Sequence, residues 1–287
     1  MKDGHFKKVM RLATFCTGFL LAGQTMAAEI AAAEPASQVA ASDKNYAALF
    51  GDAPMKEAKN DPELSNTMKR FIYGEIAKVN QLTLEQRQLV TIVVLATVPN
   101  EKLLRKNVEG ALHVGVTPLE IREALYQVAP YIGFARVFDA LDAANEVFKA
   151  QGIDLPLPAQ GTVTEEDRLE KGLAVQVGIY GGRITKMRAS APEDERFVQD
   201  GLSGYCFGDT FTRGTLEIPM RELLTVSALA ALGGVEGQLK GHIAGNLTVG
   251  NDRQTILSAI ATALPYIGFP CTLNAVRCVD EVTNPAK

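Results

Sequence analysis

Histidine and cysteine are scarce in this chain, at three and four among 287 residues, and no long stretch alternates apolar and polar residues with period two. Without that alternation the signature of half-buried strands is missing, and helices are expected to dominate. The cysteines do not form a disulfide framework. Cys16 falls in an N-terminal apolar run, and Cys206, Cys271 and Cys278 are an odd set without tight pairing. On a helix, Cys271 and Cys278 would lie about 10 Å apart along the axis, beyond the roughly 7 Å a disulfide tolerates. A basic cluster is also lacking, which argues against nucleic acid as a partner. No metal-ligand cluster, glycine-rich phosphate loop or cofactor-lysine motif is visible in the sequence, so no cofactor is expected.

What is present begins with a leader. Lys7, Lys8 and Arg11 form a basic start, Leu12 to Gly23 is a short apolar run, and Thr25-Met26-Ala27-Ala28 offers small residues for cleavage. The run is shorter than the roughly 20 residues of a membrane-spanning helix. Residues 1–27 are therefore expected to be a signal peptide, the mature chain periplasmic or secreted, and no stable membrane span to remain after processing. An uncleaved anchor is the alternative. Processing takes Lys+Arg from 29 to 25 and Asp+Glu from 33 to 32, moving the net charge from −4 to −7. Residues 28–45, Ala-rich with Pro35, are expected to be a flexible tether.

The rest of the chain repeats itself. Pro130-Tyr131-Ile132-Gly133-Phe134 returns as Pro265-Tyr266-Ile267-Gly268-Phe269, and Gly110-Ala111-Leu112-His113-Val114-Gly115 lies opposite Gly245-Asn246-Leu247-Thr248-Val249-Gly250. One residue out of step, Arg87-Gln88-Leu89-Val90-Thr91 faces Arg221-Glu222-Leu223-Leu224-Thr225, and Tyr73-Gly74-Glu75 faces Phe207-Gly208-Asp209. Two copies of one module are a duplication. The expected organisation is a first module at 46–152, a linker at 153–164 and a second module at 165–284. Each is read as helical, giving an all-α fold of two tandem helical-bundle modules. Thr83 with Gln86 reads as a capping box opening a helix to about Val98, and Thr117-Pro118-Leu119-Glu120 opens another. Residues 165–188 read as one long amphipathic helix. The stretches 89–98 and 221–232 are apolar nearly all round, so each module should bury a central helix.

Outside the leader only His113 and His242 remain. His113 falls near a helix C-terminus, where a cation is welcome. His242 sits mid-helix between Gly241 and Gly245, and Glu222 precedes it by 20 residues with Gly233-Gly234 between them. In an antiparallel helix pair the two side chains come to within about one turn of the same height. A carboxylate facing an imidazole across an apolar hairpin is a candidate acid/base pair. The alternative is that Glu222 complements its helix N-terminus and His242 is a satisfied core residue. In the first module Gln88 and Asn107 stand at the corresponding places, and neither carries protons near neutral pH. The second copy is expected to hold the site, the first a silent counterpart. Arg213 and Arg221 are candidate carboxylate clamps, with pairing to neighbouring acids as the alternative. Cys206 is a possible redox residue without an obvious resolving partner.

Together, Arg221-Glu222-Leu223-Leu224-Thr225, Gln238-Leu239-Lys240-Gly241-His242, Gly250 and Pro265-Tyr266-Ile267-Gly268-Phe269-Pro270 resemble the carboxymuconolactone decarboxylase family. The segment Cys206-Phe207-Gly208-Asp209-Thr210-Phe211-Thr212-Arg213-Gly214 is similar to that family's approach to its buried helix. The resemblance implies an all-helical fold of the alkylhydroperoxidase D-like type, homo-oligomers (here a trimer of two-module chains), and one of two activities. One is decarboxylation of a muconolactone-type acid, with a small carboxylate or lactone as the partner molecule. The other is thiol-dependent peroxide reduction, which uses a Cys-x-x-Cys pair ahead of the histidine. Here that stretch is Gly234-Val235-Glu236-Gly237-Gln238, without sulfur. A catalytically lapsed binding or scaffold protein is the remaining alternative.

Overall fold

The structure is a computed structural model, and it describes residues 39–52 and 55–284. The expected signal peptide and residues 28–38 of the expected tether lie outside the described residues. Residues 39–50, placed partly in the tether by the sequence, are instead helical (α1). Ser42, Tyr46 and Leu49 explain it: they are buried at the i, i+4, i+7 spacing of one helix face. Pro35 and the alanines had suggested a tether, but alanine is also the strongest helix former.

The described chain is helical and contains no strand. After α1 come α2 (Pro62–Arg70), a π-helical turn π1 (Phe71–Ile76) and α3 (Ala77–Val79). Then follow α4 (Leu84–Thr97), α5 (Glu101–His113), α6 (Pro118–Ile132) and α7 (Phe134–Ala150). The second copy adds α8 (Arg168–Tyr180), α9 (Arg183–Ser190), α10 (Arg196–Gly201), π2 (Leu202–Phe211), α11 (Ile218–Leu232), α12 (Glu236–Thr248) and α13 (Arg253–Thr283). The expected capping boxes are in place. Gln86 Oε1 accepts from the Thr83 N–H at 3.0 Å, and Glu120 Oε2 from the Thr117 N–H at 2.8 Å. The single helix expected over 165–188 is broken, because Gly181 takes φ +69 and ends α8.

The chain divides into two compact units. Within the described residues the small unit holds 39–47 and 55–77, and the large unit holds 48–52 and 78–284. In the small unit the Tyr46 and Tyr73 rings meet edge to face at 5.3 Å, and Asn45 Nδ2 donates to Tyr73 O at 2.7 Å. In the large unit the four helices of the first copy share a core with α11 and α13 of the second. Leu89, Val90 and Val93 of α4 cluster with Leu223, Leu224 and Ala228 of α11, and with Leu125 and Val128 of α6. Both central helices are buried nearly all round, as their sequences required. A second cluster joins Val226 and Leu229 to Ile243, Ile256 and Ile260. α13 is long and apolar enough to cross a membrane by length and composition. Its Ile256, Ala259, Ile260 and Ala263 are core residues, and Gly268 (φ +74) bends it as Gly133 separates α6 from α7.

α8 lies directly on π2. A methyl group on Gly172 would overlap Ser203 O and the Gly208 backbone, and one on Gly208 would overlap Arg168 O. Glycine at both places lets the backbones touch, and Arg168 pairs with Asp209 across the seam. This contact carries the end of α8, and with it Tyr180, over the α11–α12 hairpin.

Candidate active site of the second copy

α11 and α12 run as a hairpin around Gly233-Gly234, and it brings Glu222 and His242 together. The Glu222 side chain is fully buried, and its Oε2 lies 3.0 Å from His242 Nδ1. The imidazole is 13% exposed and lines a cleft of about 710 Å³. A third group completes the arrangement. Tyr180 Oη donates to Glu222 Oε1 at 2.6 Å and lies 2.7 Å from His242 Nδ1.

This triangle fixes the imidazole. A phenol has one proton, and a carboxylate only accepts. With the Tyr180 proton given to Glu222, the short contacts at Nδ1 require an Nδ1–H shared between Glu222 Oε2 and Tyr180 Oη. The neutral ring then has its lone pair on Nε2, a base; on protonation, the imidazolium lies against a buried carboxylate. Burial, followed by the charge of Glu222, pushes the Tyr180 phenol far above its ordinary range, so it remains a hydrogen-bond donor.

The backbone around the pair is braced. Asn246 Nδ2 donates to Glu222 O at 3.0 Å and to His242 O at 2.8 Å, and Asn251 Nδ2 donates to Asn246 Oδ1 at 2.8 Å. Gly245 is there for space. A methyl group on it would sit 2.8 Å from Tyr180 Cε1 and 2.9 Å from Glu222 Oε2.

The rest of the cleft comes from π2, α8, α9 and the first copy. Tyr131, at the end of α6, packs edge-on against the imidazole at 5.2 Å, and Phe207 against Tyr180 at 5.8 Å. π2 presents Cys206, whose Sγ lies 3.3 Å from Tyr131 Oη. Burial pushes the Cys206 thiol up to about 12, so it is not a thiolate at neutral pH. Cys278 is buried in the core, Cys271 lies beside the Gly233 turn, and neither lines this cleft.

The two arginines expected as substrate clamps are not in the cleft. Arg213 holds the buried Glu123 through Nε at 2.7 Å and Nη2 at 3.1 Å. Arg221 is fully buried and donates to Leu216 O, Gln127 Oε1, Arg213 O and Gly214 O. Burial lowers its pKa to about 10. An arginine with its fork spent on backbone carbonyls ties the loop before α11 to α6 and is not available to a ligand. The pairing alternative describes Arg213 directly, and Arg221 through its Nη2 at 3.9 Å from Glu123 Oε2. His113 closes α5 at its C-terminus.

Tyr180, Tyr131, Arg183 and Asn246 were not found in the sequence. Tyr131 was visible inside the repeated Pro-Tyr-Ile-Gly-Phe block, but its reach into the other copy was not. Tyr180 and Arg183 were concealed by reading 165–188 as one helix, since only a break at Gly181 turns both toward α12.

Fold and site together define a tandem all-helical protein with a carboxylate–imidazole–phenol cluster in one of its two copies. The sequence profile described as the carboxymuconolactone decarboxylase family matches residues 62–146 and 198–281. The chain belongs to that family. A curated relative, the 4-carboxymuconolactone decarboxylase of Acinetobacter baylyi, is 34% identical over 91 residues, which cover 32% of this chain and 68% of the relative.

Proposed function

We propose that the second-copy cleft performs acid/base chemistry without a cofactor on a small carboxylic acid or lactone, with decarboxylation as the reaction type. The observation that carries this reading is the Glu222–Tyr180–His242 triangle opening onto a cleft. His242 is the proton-handling group through Nε2. Loss of CO2 from a carboxylate whose electron pair is taken up by a neighbouring carbonyl leaves an enolate. The imidazolium N–H supplies the proton to the new carbanionic carbon and is recharged from water. Glu222 and Tyr180 fix the tautomer and steady the imidazolium. The name of the relative, a 4-carboxymuconolactone decarboxylase, supports decarboxylation as the type of chemistry.

A peroxidase reading is disfavoured, because Cys206 is buried and protonated and, among the described residues, no second cysteine lines the cleft. The test is a panel of keto acids and lactones assayed for CO2 release and ring opening with the parent and His242→Asn. Turnover that is equal in the two proteins would overturn the assignment of His242.

A further inference from the structure

We infer that Arg183 is the anion-recognition residue of this cleft, holding a carboxylate of the substrate that the reaction leaves in place. This deepens the acid/base reading and rests on it only in taking the cleft to be the substrate site. Arg183 is the first residue of α9, and no other Lys, Arg, Asp or Glu lines the cleft among the described residues. Its guanidinium carbon stands 5.0 Å from the Tyr180 ring centroid, a cation–π placement that restrains the side chain while leaving its N–H groups open. Among the described residues it has no ion pair, in contrast to Arg213, which is committed to Glu123. The Tyr180 ring lies 5.6 Å from the imidazole, so one aromatic ring separates the cation from the proton-handling group.

The surroundings suit an anion held at one end of a short molecule. The α12 face beside the guanidinium is bare: Gly241 leaves the nearest Arg183 nitrogen 3.8 Å from where a methyl would be, and Gly237 has open space. The whole chain is acidic, at −4, so long-range attraction does not gather anions and a local cation is needed. Arg183 and Tyr180 also lie outside residues 62–146 and 198–281, the part shared with the family profile. A guanidinium fork matches a carboxylate bidentately.

The test is isothermal titration of the parent, Arg183→Gln, Arg183→Lys and His242→Asn with 4-oxopentanoate and with its methyl ester. Arg183 is exposed, so these variants should fold, and a thermal melt checks it. The expected result is parent binding at least about tenfold tighter for the carboxylate, a preference reduced to within about twofold in Arg183→Gln and intermediate in Arg183→Lys. His242→Asn should keep the preference. A preference that survives in Arg183→Gln, or a parent that binds the acid no better than the ester or not at all, overturns the inference. Failure of the acid/base reading would look different: the Arg183-dependent preference intact, with no turnover lost on removing His242.

Discussion

The two copies of the module share a frame and differ at the atoms that could handle protons. α4 corresponds to α11, α5 to α12, and the glycine bends at Gly133 and Gly268 match. Tyr46 and Tyr73 meet edge to face within the small unit, as Tyr180 and Phe207, their counterparts in the repeat, do in the second copy. Yet where Glu222 accepts from Tyr180 and faces His242, Gln88 is buried with its Oε1 unpartnered among the described residues. Asn107 turns its amide back to Leu103 O at 2.8 Å. The difference teaches that packing alone keeps the fold, since the first copy keeps it with neutral residues. The carboxylate–imidazole pair in the second copy is an addition that folding does not require.

The first copy is still a participant. Its Tyr131 crosses to the second-copy cleft and packs edge-on against His242, while Tyr266 of the second copy meets Thr91 on α4. Equivalent tyrosines thus reach into the opposite copy, Tyr266 to Thr91 on the first copy's central helix and Tyr131 to the imidazole of His242.

The sharpest way to break the comparison is to make the second copy resemble the first. His242→Asn should lower kcat by about a thousandfold, the middle of the range for a lost general acid/base. The fold should survive, because Asn already occupies the matching position in the first copy. A melt shifted by more than a few degrees, or a kcat within tenfold of the parent, would remove the distinction drawn between the copies.

Next in size is Gly245→Ala. The added methyl meets Tyr180 and Glu222, which are locked together, so the variant should lose about 2 kcal/mol of stability and roughly a hundredfold in kcat. Its counterpart Gly110→Ala meets only side-chain atoms of one ring, Phe50, at 2.7 Å from Cε1 and 3.3 Å from Cζ. It should cost less than 1 kcal/mol, since Ala improves helix propensity by a similar amount. Equal melting temperatures for the two variants would show that the second-copy geometry is no tighter than the first.

Much of this was legible in the residues. The duplication, the buried central helices and the caps at Thr83 and Thr117 followed from periodicity and local hydrogen-bonding chemistry. Glu222 and His242 followed from helix rise across one turn. The arginines went wrong because spacing identifies a charged residue without saying what it is folded against: Glu123, 90 residues from Arg213, consumes that charge. Tyr180 and Arg183 were missed for a related reason. Their place depends on the backbone touching of Gly172 and Gly208, which no single-segment pattern contains.

A smaller effect is expected from Tyr180→Phe. The ring contacts remain and the Nδ1–H can still reach Glu222 Oε2, so only the hydroxyl's bonds are lost. One hydrogen bond to a charged group is worth about 1.5–3 kcal/mol, which corresponds to a roughly ten- to hundredfold fall in kcat. The fall should appear in kcat and not in KM if Tyr180 steadies the imidazolium. A rise in KM alone would make Tyr180 part of the cleft wall and nothing more.

The smallest effect should come from Cys206, which stands where the first copy has Ile72. Its thiol is held protonated by burial, with its pKa up to about 12 against 9.0 for the free group. The sign is that of an acid whose charged form is disfavoured: thiolate forms in the folded protein only as pH rises toward the higher value. At pH 8 the thiolate fraction is on the order of 10⁻⁴, and alkylation should be correspondingly slow. Iodoacetamide at pH 8 followed by mass spectrometry should label the partly exposed Cys271 well before Cys206. Cys206→Ala should cost about 1 kcal/mol in packing and change kcat by less than about threefold. Rapid labelling of Cys206, or a sulfenic acid trapped there after peroxide, would instead give the second copy a thiol chemistry that an isoleucine in the first could not match.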